Sequence, residues 1–149
     1  MRYNFLVPPT KKFRVLFVCF GNACRSPMAE AVARHHASEL IEPSSAGFCP
    51  LGRLAQLTKL TLLANGYSVE GLSSKPLSRD ALDNADLVIN LSGEPRSLVF
   101  ENPAKVEDWK VEDPYGEDPA TYQRILGEIE SRVLLLASRL RADQREAGV

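Results

Sequence analysis

The chain has 149 residues, of which 44% are hydrophobic and 25% are charged, and its formal net charge is −1. This composition predicts one soluble globular domain over residues 1–149. A monomer or weak dimer is expected. A balanced charge argues against a broad basic surface, so neither nucleic acid nor a membrane is expected as a partner. No apolar run is long enough to predict a membrane-spanning helix. Residues 1–12 are interpreted as a flexible lead-in rather than a signal peptide.

The chain contains three cysteines, Cys19, Cys24 and Cys49. An odd number without a secretory signal argues against a disulfide framework and predicts a reducing, cytoplasmic location. The two histidines, His35 and His36, are adjacent and lie far from any cysteine pair with zinc-like spacing. We therefore expect no metal site. We interpret both histidines as surface or packing residues and Cys49 as a packing residue.

Strand-like and helix-like segments alternate along the chain. The first is a buried strand at residues 14–19, a continuous β-favouring apolar run. A helix should follow at residues 27–40, with Ser26 as its cap, Pro27 in its first turn and Glu30 favoured by the helix dipole. The later segments are a short strand or turn at 44–47, a helix at 54–65 with Leu57, Leu60 and Ala64 on one face, a strand at 86–90, and a strand or loop at 106–111.

The last helix has the clearest pattern. It begins near the Asp118-Pro119 pair, and we expect residues 142–149 to fray. Its apolar residues recur every three or four positions. They are Tyr122, Ile125, Leu126, Ile129, Val133, Leu136 and Leu140.

Alternation of strands and helices predicts a three-layer α/β domain, with a short parallel sheet of about four strands flanked by helices on both faces. Such sheets bind ligands at the carboxyl ends of their strands. The loop after the first strand, residues 19–26 (CFGNACRS), is therefore the predicted site.

This loop has the features of an anion-binding nest. Free amide groups at the start of a helix point at one spot, and Gly21 and Asn22 tolerate the backbone angles of a tight turn. Arg25 adds a planar fork of donors that matches two phosphate oxygens. A thiol in such a nest ionises readily, so Cys19 is the predicted nucleophile. Ser26 is expected to donate a hydrogen bond to the thiolate.

Residues 18–27 (VCFGNACRSP) resemble the signature loop of the low-molecular-weight protein tyrosine phosphatases, and the resemblance extends from about residue 14 to 140. It implies a phosphatase without cofactors, acting on a phosphorylated protein or a small phosphate monoester, with phosphotyrosine as the default. It further implies that Cys19 is the nucleophile and Arg25 binds phosphate. The other implied phosphate-binding residues are Phe20, Gly21, Asn22, Ala23, Cys24 and Ser26.

The resemblance also implies a general acid. Asp113 precedes Pro114, which restricts its backbone to extended conformations, and the family's acid lies in such a pair near the last helix. From the residues alone, a solvated acidic turn explains the segment as well. Tyr115 is expected to line the mouth of the cleft and to stack on a substrate ring. Phe20 and Phe48 are further candidates, and each is equally consistent with packing.

Several supporting roles follow from the same resemblance. Asn22 and Ser45 are expected to support the loop, although a simple turn explains Ser45 nearly as well. Cys24 is expected either to be a small buried residue or to form a reversible disulfide with Cys19, which would protect the thiolate from irreversible oxidation.

Two other functions stay open. Thioredoxin-coupled arsenate reductases share this fold and loop, but they need two further cysteines where this chain has Ser92 and Val99. Pro27 fits the phosphatase pattern, whereas residues 44–47 and 105–109 look like the reductases, so thiol-dependent arsenate reduction is the nearest alternative. The third possibility is a non-catalytic oxyanion-binding module, which would need neither Cys19 nor Asp113. The family's usual tryptophan after Gly47 is absent, which leaves substrate choice open.

Overall fold

The structure is a computed structural model and describes residues 11–147. Almost all of the predicted lead-in, residues 1–12, lies outside this range. The described chain folds into four strands and five helices. They are β1 (Phe13–Cys19), α1 (Arg25–Ala37), β2 (Ile41–Gly47), α2 (Gln56–Ala64), α3 (Arg79–Asn84), β3 (Leu87–Asn90), α4 (Arg96–Val99), β4 (Val106–Asp108) and α5 (Pro119–Ala147), with a single 3-10 turn at Pro103–Lys105 before β4.

The strands form one parallel sheet in the order β2-β1-β3-β4. Alternate residues of β1 face opposite sides of it. Val15 and Phe17 pack beneath α1, α2 and α5, whereas Leu16 and Val18 pack with residues from α3 and around α4. The predicted three-layer α/β architecture, with a first strand buried on both faces, is therefore confirmed.

The register of the sheet brings its carboxyl ends together. Cys19 lies opposite Gly47 of β2, and Val18 lies opposite Asn90 of β3. The loops that follow β1, β2 and β3 consequently meet at one edge, where parallel α/β sheets bind ligands.

The start of α1 differs from the prediction. The helix begins at Arg25 because the Cys24 carbonyl already accepts the first helical hydrogen bond, from the Met28 amide at 3.0 Å. Ser26 therefore lies inside the helix and caps nothing. Glu30 is not in the first turn, so the predicted interaction with the helix dipole is wrong. Its buried carboxylate instead binds Ser45 and Arg34.

The predicted face of α2 is wrong at two of its three residues, since only Leu57 packs against the core. Leu60 and Ala64 are exposed, and the buried side chains include Thr58 and Leu62. A threonine is tolerated in this position because the Thr58 hydroxyl donates to the Ala23 carbonyl at 2.8 Å. The helix therefore buries a face of mixed polarity, which an apolar stripe in the sequence does not indicate.

The structure confirms the predicted stripe of α5, since all seven residues of the stripe are buried. The helix continues to Ala147 instead of fraying from residue 142. Its end is rich in good helix formers, and Arg141 pairs with Glu39 at 2.9 Å beyond α1. Within residues 11–147, no helix combines the length and the apolar character needed to cross a membrane.

Candidate active site

The Cys19 thiol lies at the end of β1, buried beneath the start of α1. Its Sγ atom is 2.9 Å from the Ser26 hydroxyl. That hydroxyl accepts a hydrogen bond of 2.7 Å from the side-chain NH2 group of Asn22, whose nitrogen can only donate. The Ser26 proton is therefore free to be donated to Cys19. A hydroxyl placed in this way can donate a charge-assisted hydrogen bond to the Cys19 sulfur.

The carbonyl groups of the loop are bonded to the segment that follows β2. Four amides of that segment donate to it. The bonds run from Phe48 to Cys19 (3.3 Å), from Cys49 to Phe20 (2.8 Å), from Leu51 to Gly21 (3.1 Å) and from Ala55 to Ala23 (3.2 Å). This segment therefore forms an outer wall that fixes the orientation of successive peptide planes.

The outer wall determines where the loop amides point. In a trans peptide, the N–H group is directed away from the carbonyl of the same plane. The amides that follow the four bonded carbonyls are therefore directed away from the wall, and no amide of residues 20–24 donates to another group within the described chain. Asn22 adopts the predicted left-handed conformation, with φ of 47°. The loop thus presents a set of unpaired donors around the thiol, as an oxyanion nest requires.

Arg25 completes the nest. Its side chain is almost fully buried, and Nη1 donates to the carbonyls of Leu91 at 2.6 Å and Val111 at 3.2 Å. Nε is buried without a partner, the only such side-chain nitrogen or oxygen in the described residues. An unpaired buried donor costs about 1–3 kcal/mol. An anion bound beside the guanidinium could accept a hydrogen bond from this Nε donor.

Asp113 lies beside the Arg25 guanidinium. Its Oδ2 atom is 3.5 Å from Nη2 of Arg25, and its Oδ1 atom accepts from the Tyr115 amide at 3.1 Å. About half of the Asp113 side chain is exposed to solvent. The carboxyl group is thus held beside the Arg25 guanidinium and is open to solvent.

The pocket has a volume of about 200 Å³. Its walls come from the loop, from the outer wall and from the segment before α5. The lining residues are Cys19, Phe20, Gly21, Ala23, Cys24, Arg25, Leu51, Asp113 and Tyr115. Phe20 and Tyr115 therefore lie at the mouth, as the sequence suggests. Phe48 does not line the pocket, because its ring packs against Phe100 with 5.5 Å between centroids.

The remaining predicted residues are Ser45, Cys24 and Cys49. Cys49 is exposed, so the packing role expected for it is wrong. The buried Ser45 hydroxyl donates to Glu30 of α1 and not to the loop, so any support it gives is transmitted through α1. The Cys24 thiol is 3.5 Å from the Tyr122 hydroxyl. Burial raises the pKa of the Cys24 thiol, and burial together with the hydrogen bond to Cys24 raises the pKa of Tyr122. Both groups are held neutral.

Leu51 and Ala55 of the outer wall were not identified from the sequence, and three further residues in contact with the loop were also missed. Thr58 and Ser74 donate to its carbonyls, and the Lys75 amide donates to the Asn22 side chain at 2.9 Å. They come from a helix face with mixed polarity and from a polar connection, and neither carries a pattern that distinguishes it from solvent-exposed chain. Within residues 11–147, no cluster of three or more histidine, cysteine or acidic side chains could hold a metal ion.

Comparison with known proteins identifies the family to which the chain belongs. The family described as low molecular weight phosphotyrosine protein phosphatase matches residues 14–146. Arsenate reductase 1 of Bacillus cereus is 32% identical over 124 residues, which are 82% of this chain and 92% of that protein.

Two solved structures have the same fold. An arginine phosphatase from Geobacillus stearothermophilus has a TM-score of 0.80 at 28% identity, over 90% of this chain and 96% of that one. An arsenate reductase in a phosphate-binding state has a TM-score of 0.78 at 30% identity, over 86% of this chain and 98% of that one. The chain belongs to the low-molecular-weight phosphotyrosine protein phosphatase family, whose fold it shares with arsenate reductases.

Proposed function

We propose that the protein is a protein tyrosine phosphatase that hydrolyses phosphate monoesters through a phosphocysteine intermediate on Cys19. One observation carries the proposal: the buried Nε donor of Arg25 has no partner within residues 11–147, and Arg25 lines one pocket together with Cys19 and the loop whose amides are unpaired. A phosphoryl group bound there would satisfy these donors and present its phosphorus to Cys19.

In the first step, the Cys19 thiolate attacks phosphorus. An S–P bond forms, the P–O ester bond breaks, and protonated Asp113 gives its proton to the leaving oxygen. The loop amides and Arg25 stabilise charge on the equatorial oxygens. In the second step, Asp113 takes a proton from an attacking water. The S–P bond then breaks, phosphate leaves, and the Ser26 hydroxyl stabilises the returning thiolate.

The walls of the pocket support an aryl phosphate as substrate. The rings of Phe20 and Tyr115 are each more than half exposed at its mouth, and Leu51 is half exposed beside them. A phenyl ring entering between them would bury apolar surface. Phosphotyrosine on a protein partner is therefore the proposed substrate.

Arsenate reduction is the competing proposal, and it is favoured by the names of several relatives at about 30% identity. The chain lacks the cysteines expected of the thioredoxin-coupled reductases, with Ser92 and Val99 near those positions. Of the cysteines other than Cys19, Cys24 is buried and Cys49 is exposed. Reduction would therefore depend on a small external thiol.

The deciding experiment measures hydrolysis of para-nitrophenyl phosphate by the wild type, by Cys19→Ser and by Cys49→Ser, with a chelator and reductant present. We expect turnover by the wild type, a loss of at least about a thousandfold in Cys19→Ser, and wild-type turnover in Cys49→Ser. A parallel panel of phosphotyrosine and phosphoarginine proteins tests the substrate class.

Other outcomes would reject the proposal in different ways. Arsenate-dependent oxidation of glutathione without phosphatase activity would identify a reductase. Phosphate binding without either activity would leave an oxyanion-binding module.

A further inference from the structure

The connection between α2 and α3 braces the phosphate-binding loop. The Ser74 hydroxyl donates to the Gly21 carbonyl at 3.0 Å and accepts from the Gly52 amide at 3.1 Å. Gly52 belongs to the outer wall, so this single side chain bonds the loop and the wall to each other. Both roles are compatible with one hydroxyl, which has one proton to give and lone pairs to accept.

The neighbouring residue extends this brace through its backbone. The Lys75 amide donates to the Asn22 side chain, and the Lys75 carbonyl accepts from the Gly47 amide at 3.0 Å. Ser74 is therefore anchored by backbone bonds to the end of β2. A serine fixed in this way can determine the orientation of the peptide to which it donates.

The Gly21–Asn22 peptide is the one that most needs such a constraint. Asn22 lies in the left-handed region, which a non-glycine residue adopts only when its surroundings hold it there. Because the Gly21 carbonyl is held outward by Ser74 and by the Leu51 amide, the Asn22 N–H points the opposite way, toward the oxyanion nest. If this peptide rotated, the nest would exchange a donor for a carbonyl oxygen, which repels phosphate.

We propose that Ser74 is a positioning residue, which fixes the Gly21–Asn22 peptide so that the Asn22 amide binds the phosphoryl group. Its effect on turnover rests on the proposed phosphatase function, whereas its effect on oxyanion binding does not. Ser74 touches no substrate and acts only through the loop.

The test compares Ser74→Ala with Ser73→Ala and Ser74→Thr. Ser73 is the adjacent exposed serine, and its hydroxyl has no hydrogen bond in the described chain, which makes it the matched control. Titration calorimetry measures the dissociation constant for inorganic phosphate, and para-nitrophenyl phosphate gives kcat and KM. We expect Ser74→Ala to weaken phosphate binding and to lower kcat/KM by about tenfold each. Ser73→Ala should match the wild type, and Ser74→Thr, which keeps the hydroxyl, should recover most of both losses.

Wild-type phosphate affinity in a folded Ser74→Ala variant would overturn the proposal. Equal losses in Ser74→Ala and Ser74→Thr would also overturn it, because a packing effect rather than the hydroxyl would then be responsible. If Ser74→Ala does not fold, Ser74→Cys keeps the size of the side chain with a much weaker donor and must show the same loss. An inactive wild type would reject the phosphatase function, while the phosphate affinities would still decide the role of Ser74.

Discussion

The three nitrogen atoms of the Arg25 guanidinium have different surroundings. Nη1 donates to the carbonyls of Leu91 and Val111, whereas Nε has no partner within residues 11–147 and Nη2 lies 3.5 Å from Asp113. The fork is thus oriented before any ligand arrives, which would reduce the entropy lost when the proposed phosphoryl group binds. A lysine has a single charged end and cannot replace all three.

Asp113 is the residue whose proposed role depends most on the leaving group. Asp113→Asn keeps the shape of the side chain but removes the transferable proton. We expect kcat for phenyl phosphate to fall by about a hundredfold or more. The corresponding value for para-nitrophenyl phosphate should fall much less, since nitrophenolate leaves without protonation. Steady-state kinetics of the wild type and the variant measure the fall in kcat on each substrate.

Glu112→Gln is the matched control for that experiment. Glu112 adjoins Asp113 and is exposed, but its carboxylate pairs with Arg124 at 3.0 Å. We expect it to leave both rates nearly unchanged. An Asp113→Asn variant that slowed both substrates equally would assign the carboxylate to binding or structure and not to proton transfer.

At the scale of elements, the end of β2 lies directly against the loop of residues 19–26. A Cβ atom added at Gly47 would lie 2.8 Å from the Asn22 amide nitrogen and 2.8 Å from the Phe20 carbonyl oxygen. Both are backbone atoms of the nest and cannot move without changing its shape. The close approach of strand to loop therefore requires glycine at this position.

Gly47→Ala should consequently impair function and stability together. We expect kcat/KM to fall by at least about tenfold and the free energy of unfolding to fall by about 1–3 kcal/mol. Gly127→Ala in α5 is the control, because nothing lies within 4 Å of its added Cβ. There an alanine should stabilise the helix by about 0.5–1 kcal/mol. Urea unfolding and phosphatase kinetics measure both variants, and unchanged kinetics in Gly47→Ala would show that the loop accommodates the methyl group.

The elements that could be predicted from the sequence are those with a strong local pattern. The apolar run of β1 and the stripe of α5 were found because burial on two faces and burial on one face leave different periodicities. α3 and α4 were missed because they are short, and neither has a buried residue. The brace around Ser74 was missed for another reason: its hydrogen bonds join residues distant in sequence.

At the scale of the whole molecule, the residues of the site also divide into those that a local sequence pattern predicts and those that it does not. Cys19, Asn22, Arg25 and Ser26 lie within eight consecutive residues, so the physics of strand, loop and helix alone brings them together. Asp113 reaches the pocket only through the order and register of four strands. Its segment is as acidic as any solvated turn, so resemblance to a family identified it where pattern could not. The face of α2 shows the limit of apolar patterning, since a buried threonine bonded to a carbonyl leaves no apolar signal.

The packing of α5 against the loop predicts how the stability of the whole domain depends on pH. Burial, followed by the hydrogen bond to Cys24, raises the pKa of Tyr122, and burial likewise raises the pKa of the Cys24 thiol. The folded state therefore retains protons that the unfolded chain releases above about pH 8.5 for cysteine and about pH 10 for tyrosine. The stability that these neutral groups contribute is complete below those values and is lost as the pH rises further, by up to about 1.4 kcal/mol per pH unit for each group.

Tyr122→Phe tests this linkage. The variant lacks the phenol, so it should be less stable than the wild type at about pH 8, and the difference should shrink at about pH 11, where the unfolded wild type ionises its tyrosine. Tyr67→Phe should show the same trend, because burial and the hydrogen bond to Glu130 raise the pKa of Tyr67. Urea unfolding at both pH values, with reductant to keep the thiols free, gives the two differences. Stability differences that stayed constant between the two pH values would mean that these tyrosines titrate alike in the folded and unfolded chain, and that their burial does not hold them neutral.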